Sequence, residues 1–202
     1  MIIALLLLAA YLIGAFPSSY VVAKLARGID LRQHGSGNLG ATNAYRVLGW
    51  KAATPVFILD ILKGWLPTYL FPRFDGSDRW EWTLAYGAMA IIGHVFSVYV
   101  RFKGGKGVAT GTGVFLALTP LAVLIGLIVW VTLVFITGTV SIGSIAAAAV
   151  LPVAVAIFDA RRLVLVLAIA LGAFVIYAHR ANIKRLMRRE EPSFRKKKRT
   201  VH

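Results

Sequence analysis

Cysteine is absent from the 202 residues, so disulfides, thiolate metal sites and cysteine nucleophiles are excluded. Acidic residues are scarce: eight Asp and Glu face 23 Lys and Arg. No H-E-x-x-H or other close His/Asp/Glu spacing supports a metal, and no G-x-S-x-G supports a serine hydrolase. Charge of either sign is thin, at 15% of residues against 58% hydrophobic, where soluble domains carry roughly a quarter charged residues. These proportions predict an all-α integral membrane protein.

The net charge of +15 does not point to nucleic acid, because 18 of the 23 Lys and Arg fall in 24–51, 101–106 and 180–199 rather than over a soluble face. Short cytoplasmic loops collect Lys and Arg, which explains most of the clustering. An anionic substrate or anionic lipid at the same face is a second cause. The run MIIALLLLAAYLIGAF has no charged leader and reads as a retained first span; Lys24 and Arg27 follow it, so the N-terminus is expected outside.

Apolar runs occupy about 2–23, 52–71, 83–100, 108–136, 138–158 and 163–178. Six crossings would put the basic C-terminal end outside, against the positive-inside rule. The run 108–136 resolves this: as one helix it would be about 43 Å long, well beyond the ~30 Å hydrocarbon layer. Pro120 is a natural break, giving helices over about 108–118 and 121–136. About seven transmembrane helices are therefore expected, N-terminus outside and C-terminus cytoplasmic, with five longer spans as the alternative. One membrane domain, 1–187, and a basic cytoplasmic tail, 188–202, complete the expected organisation. Removing residues after Ser193 is expected to cost little.

Four polar segments converge on the inner side. In RQHGSGNLGATNAYR (32–46), Gly35, Gly37 and Gly40 lie among Ser36, Asn38 and Asn43, with Arg46 beyond. Glycines let backbone N–H groups converge on an anion, although a turn followed by a capped helix is the plainer reading. In GHVFSVYVRFKGGKGVATGTG (93–113), Lys103, Gly104, Gly105, Lys106 and Gly107 run straight into an apolar helix carrying Thr110. The free amides and dipole of that helix start favour an anion. It is no Walker A loop, because Tyr99 and Val108 stand where glycine and Ser/Thr are required. Helix packing through GTG and orienting lysines are the alternative. SIGS (141–144) contributes Ser144, and AHRANIKRL (178–186) contributes His179, Arg180 and Asn182. His94 lies deeper in a span, and Asp60 and Lys63 can pair at i, i+3. On residues alone, an anion or phosphate-ester transporter rivals an enzyme.

GSGNLGATN (35–43), GHVFSVYVRFKGGKGVAT (93–110) and HRANIKRL (179–186) resemble the three signature loops of the bacterial acyl-phosphate:glycerol-3-phosphate acyltransferases, the PlsY family. The resemblance implies transfer of a fatty acyl group from acyl phosphate to the 1-hydroxyl of glycerol 3-phosphate, giving lysophosphatidic acid and phosphate for phospholipid synthesis. It implies a multi-pass protein of the bacterial plasma membrane, its site on the cytoplasmic face, in contact with membrane lipids and able to work as a monomer. No cofactor, metal or nucleic acid is expected. The family pattern places the acceptor phosphate at Ser36, Arg46, Lys106, Ser144, His179 and Asn182, and Asn38 at the acceptor hydroxyl. The Gly104–Gly107 backbone would hold a phosphate, that of the donor. Gly37, Gly40, Asn43, His94, Lys103, Thr110 and Arg180 complete the expected lining. Asn38, Lys106 and His179 are expected to act in catalysis, with His179 or a substrate phosphate oxygen taking the hydroxyl proton.

Overall fold

Proline and glycine set the breaks of the chain. The computed structural model describes residues 1–194. Helix α1, Ile2–Ala15, stops where Phe16 turns to φ −53°, ψ 117° before Pro17, as the residue preceding proline is pushed out of the α region. α2, Ser18–Arg27, then runs on, so the expected first span is two helices. The first glycine segment leads to α3, Ala41–Leu48, and Gly49 separates it from α4, Trp50–Leu70. α5, Glu81–Val95, precedes the second glycine segment and α6, Val108–Leu118. Thr119 is extended, and Pro120 opens α7, Pro120–Thr137, at the break anticipated from the sequence. α8, Val140–Phe158, α9, Arg162–Ala178, and α10, Arg180–Met187, follow; no strand forms among the described residues.

Four stretches are long and apolar enough to cross a membrane: Ile2–Arg27, Glu81–Val100, Pro120–Thr137 and Val140–Phe158. α9 and α10 make a fifth if the pair, bent by 52°, is one span, and α6 is apolar but short. α4 is 21 residues long with Asp60 and Lys63 buried in it. α7 presents Leu121, Leu124, Ile128, Val131 and Phe135 outward, the apolar exterior that lipid rather than water would cover.

The helices pack chiefly as α1 on α5, α4 on α6, and α8 between α7 and α9. α4 and α6 meet backbone to backbone: a Cβ on Gly64 would collide with the Thr110 carbonyl, and one on Gly113 with that of Ile61. The GTG run thus serves packing. A second small core gathers Leu31, Leu39, Ala44, Val56 and Val100, and so draws both glycine segments to one end of the bundle.

The expected boundary at Met187 runs through packed chain. Residues 188–194 turn back across this end: Ser193 Oγ and Phe194 N–H both donate to Gly138 O, at 3.0 and 2.8 Å. The Phe194 ring meets Tyr45 edge-on at 4.6 Å. The rest of the expected tail, 195–202, lies outside the described residues.

Candidate active site

The first glycine segment is held by one side chain. Asn43, buried on α3, accepts from Ser36 N–H at 2.9 Å and donates to His34 O at 3.0 Å and Leu31 O at 3.3 Å. Both of its N–H donors and one lone pair of its oxygen go to the loop backbone, so it shapes the loop. Ser36 is exposed and Asn38 half-buried at the loop surface, flanking Gly37 at φ 71° and Gly40.

The second segment is tied to the end of α5. Gly104 N–H donates to Val95 O at 3.0 Å and Gly105 N–H to His94 O at 3.1 Å. These two amides satisfy the last carbonyls of α5, which a helix end otherwise leaves unpaired. The free amides therefore begin beyond Gly105, where Gly107 adopts φ 81° and the first turn of α6 has no intrahelical acceptor. His94 is buried beneath the loop, Thr110 is fully buried against α4, and Lys103 is exposed.

Three donors from three elements converge on one oxygen, Oε1 of Glu191. Asn182 Nδ2 lies 2.7 Å away, Ser141 Oγ 3.0 Å and Arg46 Nη2 3.4 Å. Arg185 Nε holds Oε2 at 2.6 Å. The other end of the Asn182 amide accepts from Lys106 Nζ. One turn along α8, Ser144 Oγ accepts from Trp130 Nε1 at 3.2 Å. Arg46, Lys106 and Asn182 are thus linked through Glu191 at this end of the bundle, with Ser144 one turn from Ser141. Arg180 lies instead over the Tyr177 ring, 4.5 Å from its centre.

Burial pushes the Lys106 ammonium down to about 8; the Glu191 carboxylate opposes that drop and Arg185, Arg46 and Arg180 add to it. Burial would push the Glu191 carboxyl up, but hydrogen bonds from Asn182, Arg185 and Ser141 more than reverse this and hold it below the ordinary carboxylate range. Glu191 is therefore a counter-ion and a poor base. His179 Nδ1 lies 2.7 Å from Val175 O. A carbonyl can only accept, so Nδ1 carries a proton and, in the neutral ring, Nε2 keeps the lone pair.

Sequence reasoning passed over Ser141, Arg185 and Glu191. Ser141 carries a signal, since it stands three residues before Ser144 and shares its helix face. Glu191 stands among ten basic residues between 180 and 199, and an acid in such a run invites internal pairing.

A family model described as glycerol-3-phosphate acyltransferase matches residues 4–189. The glycerol-3-phosphate acyltransferase of Bacillus velezensis is 46% identical over 96% of this chain and 99% of its own length. That of Bacillus subtilis is 46% identical, with 95% and 97% covered. The crystal structure of PlsY (YgiH), an integral membrane glycerol 3-phosphate acyltransferase, in its glycerol 3-phosphate form aligns with a TM-score of 0.89 at 40% identity, covering 96% of both chains. Its lysophosphatidic acid form aligns at 0.86 and 39%, covering 96% of this chain and 95% of that one. With a match that runs from α1 through both glycine segments to the end of α10, this chain belongs to the glycerol-3-phosphate acyltransferase family.

Proposed function

We propose that this chain transfers a fatty acyl group from acyl phosphate to the 1-hydroxyl of glycerol 3-phosphate, yielding lysophosphatidic acid and inorganic phosphate. Acceptor and product are supported by the relatives' names and by the glycerol 3-phosphate and lysophosphatidic acid forms of the similar PlsY. The observation that carries the site is the convergence of Arg46, Ser141 and Asn182 on one anionic oxygen, with Lys106 bonded to the same asparagine.

Two phosphate-bearing substrates need such a cluster. Two dianions about 7 Å apart at an effective dielectric near 20 repel by on the order of 10 kcal/mol. Arg46, Lys106 and Asn182, with Ser36, Ser144 and His179 around them, hold the acceptor phosphate; Asn38 orients the acceptor hydroxyl. The donor phosphate takes the amides from Lys106 into the first turn of α6. The hydroxyl oxygen attacks the acyl carbon, the bond from that carbon to the phosphate oxygen breaks, and phosphate leaves. Glu191 is too acidic to take the hydroxyl proton, so a substrate phosphate oxygen receives it, with His179 Nε2 as the competing acceptor. The leaving group is already good, so positioning, which is worth roughly 7–11 kcal/mol in well-oriented reactions, does most of the work.

Crossings at α1, α4, α5, α6, α7, α8 and α9 put the N-terminus outside and the C-terminus and both glycine segments at the cytoplasmic face of the bacterial plasma membrane. The Lys and Arg clusters at that end support this orientation. Arg46, Lys106, Asn182 and Glu191 all come from one copy of the chain, which supports function as a monomer.

The titration of Lys106 tests the acceptor site. Its ammonium is present below pH 8 and lost above it, while glycerol 3-phosphate is already a dianion there, its second pKa being about 6. A bound dianion raises the lysine pKa, so KM for glycerol 3-phosphate should be flat from pH 7 to 8. Above that it should climb by up to about tenfold per pH unit. Lys106→Arg, cationic throughout, should flatten the climb; a wild-type KM unchanged to pH 9.5 would remove Lys106 from the acceptor site.

A further inference from the structure

A carboxylate and an ammonium lie inside the bundle, where charge is costly and stays only for a reason. Asp60 and Lys63 of α4 are 1% and 6% exposed. Asp60 Oδ1 accepts from Ser18 Oγ at 2.6 Å and meets Lys63 Nζ at 2.7 Å. Lys63 Nζ also donates at 2.9 Å to Phe16 O, at the break between α1 and α2, a carbonyl that accepts from Ser18 N–H at 3.0 Å as well. This accounts for the pair itself. It does not account for His94 of α5, whose Nδ1 faces the same Asp60 oxygen at 3.8 Å.

The opposite edge of the His94 ring is the floor of the second glycine segment. A Cβ on Gly105 would collide with His94 Nε2 and come within 2.8 Å of Leu39 O, so Gly105 is wedged between the imidazole and the first glycine segment. Its backbone carbonyl accepts from Gly105 N–H at 3.1 Å. Lys106 is the next residue in the chain. We infer that Asp60 and His94 are positioning residues: the carboxylate orients the imidazole, and the imidazole sets the height of the 104–107 backbone and hence where Lys106 and the α6 amides stand. The carboxylate favours the tautomer with the proton on Nδ1, which leaves Nε2 bare against the loop. Asp60 thus acts on the phosphates through two intermediaries, the imidazole and the loop backbone.

This inference rests on the proposed acyl transfer, and its test separates the two. His94→Gln should raise KM for glycerol 3-phosphate by tenfold or more while kcat stays within about threefold. Asp60→Asn alone strands Lys63 and can fail to fold, so the paired variant Asp60→Asn/Lys63→Met, which removes both charges, takes its place and should show the same split. Loss of active protein lowers kcat and leaves KM alone, so variants with unchanged KM and reduced kcat would overturn the inference and leave the network a mere brace. Inorganic phosphate added to the purified proteins should raise the melting temperature of the wild type and raise that of either variant less. That readout needs no turnover: if the wild type makes no lysophosphatidate, the acyl transfer fails, while equal protection by phosphate in all three proteins would overturn the positioning role.

Discussion

Replacing Glu191 by alanine is expected to lower kcat/KM for glycerol 3-phosphate by about a hundredfold to several thousandfold at pH 7. A misplacement of catalytic groups on the order of 1 Å costs about a hundredfold, and two guanidiniums left without their counter-ion add to it. Here the loss leaves Arg46 and Arg185 without the carboxylate that gathers them, and frees the Asn182 amide end that fixes Lys106 through its other atom. The Lys106 ammonium also loses the one charge that supports it, and drifts further below its ordinary value. A chain ending after Met187 should suffer the same loss. One ending after Phe194 retains every contact described here and should keep its activity within about twofold, so the requirement lies in a seven-residue return rather than in the basic tail. Steady-state kinetics on the three purified proteins decide the matter; an alanine variant with more than a third of wild-type activity would contradict the role of Glu191.

Gly104→Ala should cost at least a hundredfold in kcat/KM. The added Cβ would strike the His94 carbonyl and stand 2.8 Å from that of Val95. Both carbonyls close α5 by accepting from Gly105 and Gly104, so neither can retreat without breaking the bonds that hold the loop. A misplacement on the order of 1 Å at the phosphates is enough for such a loss. Gly126→Ala is the matched control, because a Cβ there meets nothing within 4 Å. It should leave activity unchanged and favour α7 by up to about 1 kcal/mol. Equal behaviour of the two variants in kinetics and thermal melts would show that the loop tolerates movement.

The break at Pro120 was legible because proline acts locally, and the pairing of Asp60 with Lys63 because three residues along a helix share a face. The break at Pro17 carried the same local signal, masked by the long apolar run before it and by Tyr20, Val21, Val22 and Ala23 after it. The gathering of polar segments at one end followed from hydropathy and charge together. Glu191 was not legible, since its partner Arg46 is 145 residues away and nothing local distinguishes it from Glu190. The direction of each N–H also escapes the sequence: GGKGVAT suggests a run of amides facing an anion, yet Gly104 and Gly105 face back to α5. Glycine composition tells where backbone can approach, and only the neighbouring helix end decides what it approaches.

Acyl transfer at a single inner face distinguishes this protein from an anion carrier. Purified protein in detergent micelles, where no compartment exists to transport across, is given acyl phosphate and glycerol 3-phosphate, and the products are quantified. The prediction is one lysophosphatidic acid and one inorganic phosphate per acyl phosphate consumed, with no acyl-CoA present. Intact substrates after prolonged incubation with folded protein would contradict it, and would return the anion site to a carrier.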